Sequence, residues 1–126
     1  MDNLYIEATK VSPRISFDVG RAVMEINGKS YPENTFDFYG PVMAWLKSYF
    51  EQPPTTKTVF NLTITYFNSS SSKLLYDMFD LLEEAQDSGH EIEINWIHDK
   101  ENESAEESGM DFKEDFESLR FNLVVT

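Results

Sequence analysis

Residues 68–72 read Asn-Ser-Ser-Ser-Ser, four consecutive hydroxyls behind an amide. A serine hydroxyl can accept a phosphoryl group, which adds roughly two negative charges and three strong acceptor oxygens. The run lies between a segment with the composition of a strand and one with the spacing of a helix. It therefore falls where first-turn amides lack intrahelical partners and the macrodipole places positive charge. An anion is best received at that point of a helix. The plainer use of these residues is capping, since Asn and Ser are preferred N-caps. One cap suffices, so at least two hydroxyls are spare. The residues themselves do not choose among Ser69, Ser70, Ser71 and Ser72 as the acceptor.

Other chemistry is thinly represented. His90 follows a helix stop and His98 follows a strand; both read as polar loop residues, and neither stands in a metal-ligand spacing such as HExxH. A nucleophile elbow, a P-loop and a GxGxxG turn are all missing. The lack of cysteine excludes disulfides, thiolate catalysis and cysteine-ligated metals. Asp99, Glu101, Glu103, Glu106 and Glu107 are crowded enough to attract a hard cation, but they lack the ordered alternation and glycine of a calcium loop. They read as a solvated charge run. The pattern points to an interaction module, with no catalytic residues, metal or cofactor expected.

The elements that must position the serine run can be read from composition and period. Thr58 to Phe67 is rich in β-branched and aromatic residues and reads as the central strand. Leu74, Leu75, Met78, Phe79, Leu82 and Ala85 recur at helical spacing behind it, as one apolar helix face. Asp87-Ser88-Gly89 stops that helix. Upstream, Leu4 to Ala8 is a short strand. Arg14 to Val19 and Arg21 to Ile26 alternate around Gly20 as a β-hairpin. Asn27-Gly28 is a turn that ends the second strand or opens a further short hairpin towards Tyr31. A helix is expected from about Phe36 to Phe50, with a start at Pro41 as the alternative because proline is costly in a helix interior. Asn34 or Thr35 can cap it. Downstream, Glu91 to Ile97 alternates as a strand, and residues 99–107 read as a solvated loop leading into a helix whose stripe is Ala105, Gly109, Phe112 and Phe116. Leu119 to Val125 is a final strand. Two successive strand–helix–strand units after a hairpin imply an α/β fold with parallel pairing among the later strands.

At 126 residues the chain is expected to form one domain, residues 1–126, and 40% apolar with 14% aromatic residues argues for a packed core. A formal charge of −13 argues against nucleic acid and anionic membrane as partners, since both would repel it. The first ten residues carry no basic segment followed by an apolar run, and no apolar stretch approaches the roughly 20 residues of a membrane span. A cytoplasmic location is expected.

Five motifs in order, Tyr31-Pro-Glu-Asn-Thr35, Tyr66-Phe-Asn-Ser-Ser70, Asp77-Met-Phe-Asp-Leu-Leu82, Asn95-Trp96 and Asp111-Phe-Lys-Glu-Asp115, give the chain a resemblance to the SiaC family of bacterial regulatory phosphoproteins. The resemblance covers about Tyr5 to Val125. It implies a mixed β-sheet packed with about three helices, of the STAS type found in anti-sigma-factor antagonists. It also implies control by a dedicated Ser/Thr kinase and a PP2C-type phosphatase. The unphosphorylated form would bind a diguanylate cyclase and promote cyclic di-GMP synthesis, which links it to biofilm regulation. The family's acceptor directly follows the Asn of a Tyr-x-Asn-Thr-Ser motif, which transfers to Ser69, with Ser standing here for Thr. Ser70, Ser71 and Ser72 stand behind it. The Tyr31–Thr35 motif shapes the partner surface or caps a helix. On the first reading Tyr31, Glu33 and Asn34 join Asn68, Ser70 and Lys73 as partner contacts. Two rival readings follow: an anti-sigma-factor antagonist on the same fold, and a small-molecule-binding domain or minor enzyme.

Overall fold

The computed structural model describes residues 1–54 and 56–126. Its elements are β1 (Leu4–Ile6), β2 (Arg14–Asp18), β3 (Val23–Ser30), α1 (Thr35–Glu51), β4 (Thr58–Phe67), α2 (Ser69–Asp87), β5 (Ile92–His98), α3 (Glu103–Asp115) and β6 (Arg120–Val125). The six strands form one sheet in sequence order. β1, β2 and β3 pair antiparallel, and β3 to β6 pair parallel. This is the mixed sheet with three helices that the family resemblance implies.

Three crossovers are present where two were expected, because β3 also returns through α1 to a parallel β4. All three step across the sheet in the same direction. Right-handed crossovers then carry every helix to the same face. Alternation in the strands agrees. Ile92, Ile94, Trp96 and His98 of β5 are buried, while Glu93, Asn95 and Ile97 between them are half-buried on the open face. Leu46 of α1, Leu75, Met78 and Leu82 of α2, and Phe112 of α3 share one core with Ile26, Phe60, Leu62 and Ile94 from the sheet. On the open face Asn61, Asn95 and Asn122 stand in register across β4, β5 and β6 and pass amide hydrogen bonds along the row at 3.0 Å.

Each crossover helix is capped by an asparagine. The Oδ1 atoms of Asn34, Asn68 and Asn102 accept from the amides of Asp37, Ser71 and Ala105 at 3.0, 2.9 and 3.1 Å. Helix α1 starts at Thr35, so a start at Pro41 is overturned and Pro41 lies inside the helix. Its missing N–H forfeits one bond near the first turn, and the Asn34 cap and the burial of Tyr39 and Val42 hold the turn in place. The acidic run is half helical, since α3 begins at Glu103.

Asn27-Gly28 is not a strand end. β3 runs through it to Ser30, with a register shift at Gly28/Lys29, where Thr65 of β4 is left without a partner opposite. This bulge breaks the alternation of β4. Tyr66 is turned out to solvent, and Phe67 packs against Trp96 and Phe112.

Candidate functional site

The carboxyl ends of the two central strands, β3 and β4, meet the starts of α1 and α2 at one end of the sheet. Here the serine run and the Tyr31–Thr35 motif are brought together. The Asn68 amide donates to the Ser30 carbonyl at 3.1 Å. The Ser30 hydroxyl donates to Ser71 Oγ at 2.8 Å and lies 2.5 Å from the Tyr39 hydroxyl. A serine has one hydroxyl proton, so Tyr39 is the donor to Ser30. Tyr39, Ser30 and Ser71 are all buried, and each polar group in this interior row has a partner.

The four serines therefore differ. Ser69 and Ser70 are exposed, Ser72 is half-buried, and Ser71 is fully buried. Ser71 leaves the set of possible acceptors, because its hydroxyl points into the core and accepts from Ser30. Capping falls to Asn68, which frees the Ser69 hydroxyl from that duty. A group transferred to Ser69 would stand at the positive end of a helix of 19 residues. Lys73, four residues on and exposed, lies one turn from it on the same side.

Of the other candidate contacts, Tyr31 and Glu33 are exposed on the β3–α1 connection. Asn34 and Asn68 spend their side-chain oxygens on caps. Pro32 is buried beneath this loop, and the Tyr31 amide donates to the Val11 carbonyl at 2.7 Å. The ring of Tyr31 meets Tyr66 edge-on at 5.6 Å. Tyr66 is 54% exposed and Phe36, at the start of α1, is 78% exposed. Tyr66 and Phe36, unlike Tyr31, were not among the contacts read from the sequence. Alternation in β4 assigns Tyr66 to the core, and only the bulge at Thr65 reverses it. Phe36 carried one available signal, since it stands outside the Phe38, Val42, Leu46 stripe of its helix.

His90 lies on the α2–β5 connection as expected but is buried, and His98 belongs to β5 instead of following it. His90 is buried with Nε2 3.0 Å from the Phe50 carbonyl and its ring edge-on to Phe50. His98 ends β5, is buried, and sets Nδ1 3.0 Å from the Asp99 carbonyl. The side chains of Asp99, Glu101, Glu103, Glu106 and Glu107 are all exposed. No helix among the described residues is long and apolar enough to cross a membrane.

A family model described as SiaC family regulatory phosphoprotein matches residues 6–126. An uncharacterized protein of Pseudomonas aeruginosa strain UCBPP-PA14 is 33% identical over 115 residues, covering 91% of this chain and 90% of its own. The crystal structure of apo-SiaC from Pseudomonas aeruginosa superposes with a TM-score of 0.85 at 28% identity, covering 100% of this chain and 99% of that one. A crystal structure of the diguanylate cyclase SiaD in complex with its activator SiaC, from the same organism, matches with a TM-score of 0.86 at 31% identity over 97% of each chain.

Proposed function

Because the chain belongs to the SiaC family of regulatory phosphoproteins, we propose that it is a non-catalytic, cytoplasmic activator of a diguanylate cyclase, switched off by phosphorylation of Ser69. The observation that carries the site is the division of labour at the start of α2. Asn68 caps, Ser71 is buried in the Ser30 network, and Ser69 stands exposed, three residues after the exposed Tyr66. The cyclase as target is supported by the likeness to the SiaC that accompanies SiaD. The same likeness favours a cyclase over a sigma-factor pathway.

In the unmodified state the exposed aromatics offer apolar contact area and Ser69 presents a small neutral group. A phosphate there adds bulk and about two charges to a surface that the partner must desolvate. The helix dipole and Lys73 favour that phosphate, so binding is lost without unfolding α2. Steric bulk and desolvation that together cost a few kcal/mol suffice for a hundredfold loss of affinity. A Ser/Thr kinase and a PP2C-type phosphatase would set the ratio of the two forms.

Phosphopeptide mapping of the protein from its own host, with phosphatases inhibited, tests the site. Cyclic di-GMP synthesis by the host cyclase with Ser69→Ala and Ser69→Asp tests the switch. Phosphate on Ser69, with activation kept by the alanine and lost by the aspartate form, supports the reading. Equal activation by both variants counts against it.

A further inference from the structure

An open groove of about 830 Å³ runs between α1 and α2. Its floor is apolar, from Met43 and Ala44 on one side and Leu74 and Leu81 on the other. Its rim is acidic. Asp77, Asp80 and Glu84 follow one another along α2, Glu51 closes the far end, and Lys47 is the one cation among the lining residues. Phe36 lies at the near end. Successive steps of four, three and four residues connect Ser70, Leu74, Asp77 and Leu81 as one stripe of α2. The groove therefore leads back to the serine run.

We infer that this groove receives an amphipathic helix of a protein partner, apolar on the stripe it buries and rich in Lys and Arg on its flanks. The inference rests on the reading of the chain as an activator and says where and by what chemistry its partner is held. From Phe36 to Glu51 the groove is ~22 Å long, which matches about four turns of helix. An apolar floor between two helices takes an amphipathic helix by its i, i+3, i+4 and i+7 side chains. Four carboxylates on the rim select the sign of the flanking charge and reject an acidic helix. Ser70 lies one turn before Leu74 on this stripe, so a phosphate on the serine run would oppose a bound helix through bulk and desolvation and not through the sign of its charge.

The test uses three synthetic peptides of about eighteen residues. One places Leu at helical spacing with Lys and Arg elsewhere, one replaces the basic residues by Glu, and one scrambles the basic sequence. Binding to the full chain is read by fluorescence anisotropy. Proteins are the wild type, the groove variant Asp77→Lys/Asp80→Lys, and Glu106→Lys/Glu107→Lys on the exposed face of α3, which changes net charge equally. Melting curves establish that each variant is folded. The patterned basic peptide is expected to bind, to lose affinity at least about tenfold in the groove variant, and to change little in the α3 variant. Amide shifts on binding should fall on Ala44, Asp77 and Leu81. Equal weakening by both double variants, equal binding of the scrambled or acidic peptide, or shifts confined to the open sheet face would overturn the inference. Loss of the groove with cyclase activation and its Ser69 dependence intact would reject the groove alone. Groove binding by a protein whose Ser69 variants activate equally would reject the switch alone.

Discussion

The Ser30 hydroxyl donates to Ser71 Oγ at 2.8 Å, a bond that ties the end of β3 to the first turn of α2 across 41 residues of sequence. Tyr39 donates to the same serine, so one buried row holds β3, α1 and α2 at the end of the sheet where Ser69 is displayed. Replacing the serines in turn by aspartate should separate them. Ser69→Asp and Ser70→Asp keep wild-type stability, since both side chains are exposed at a helix start that favours negative charge. Ser71→Asp buries a carboxylate and should cost several kcal/mol. Urea unfolding of the three variants reads the difference.

The same row explains why Ser71→Ala should leave phosphorylation unchanged. It removes an acceptor from a buried donor, at a cost of about 1–3 kcal/mol. It does not touch the exposed hydroxyl of Ser69. Phosphate incorporation by the host kinase, measured by intact mass, should match the wild type in Ser71→Ala and vanish in Ser69→Ala.

Gly109 sets how closely α3 approaches the sheet. A Cβ at this position would lie 2.5 Å from Trp96 Cδ1 and 2.8 Å from Leu123 Cδ2. Trp96 is buried and its indole N–H donates to the Ala105 carbonyl at 2.9 Å, so the ring cannot swing away without losing that bond. Alanine ordinarily stabilises a helix relative to glycine by about 1 kcal/mol. Here Gly109→Ala should destabilise by about 1–3 kcal/mol through overpacking. Thermal unfolding monitored by tryptophan fluorescence checks the sign.

Much of this arrangement was legible in the chain. Period-two alternation marks β2, β3 and β5, and the serine run marks the junction of β4 with α2, because each signal depends on neighbours within a few residues. The stripe of Ala105, Gly109, Phe112 and Phe116 likewise anticipates α3. What escaped depends on contacts between distant segments. Asn27-Gly28 has the chemistry of a turn, but pairing with β4 carries the strand through it and absorbs the irregularity as a bulge at Thr65. Tyr66 follows the alternation of its strand on paper and leaves it in space. The burial of His90 escapes because its partner, the Phe50 carbonyl, is 40 residues away and not visible in a period. Pro41 argues locally for a helix start, and the Asn34 cap with core burial on both sides of it outweighs that preference.

Tyr66 and Tyr31 meet edge-on at the surface and contribute little to the core. Tyr66→Ala should leave stability within about 0.5 kcal/mol of the wild type. If these rings anchor the partner, the same variant should weaken cyclase activation by roughly tenfold or more. Paired measurements of the unfolding midpoint and of the activator concentration at half-maximal synthesis distinguish a contact from a fold defect.

Glu93 gives a pH dependence. Partial burial alone would raise its carboxyl, but hydrogen bonds from Lys57 and Asn122 and the charges of Lys57 and Arg120 outweigh that and hold it below the ordinary value of 4.5. The Lys57 and Arg120 nitrogens lie 3.4 and 3.7 Å away. A carboxyl depressed in the folded state binds its proton more tightly when unfolded, so its contribution is present above the unfolded value and is lost as pH falls through the folded one. The wild type should exceed Glu93→Gln in urea midpoint at neutral pH by a small margin, because these groups are solvated. The margin should close below pH 4.5.

One phosphate on Ser69 is expected to turn the activator off while the fold stays intact. The most direct test is to prepare the chain with phosphoserine installed at position 69 and to titrate it, beside the unmodified chain, against the host diguanylate cyclase. The unmodified chain should raise the rate of cyclic di-GMP synthesis, and the phosphorylated chain, with an unchanged melting curve, should fail to do so at concentrations up to a hundredfold higher. Equal activation by the two forms would contradict the account.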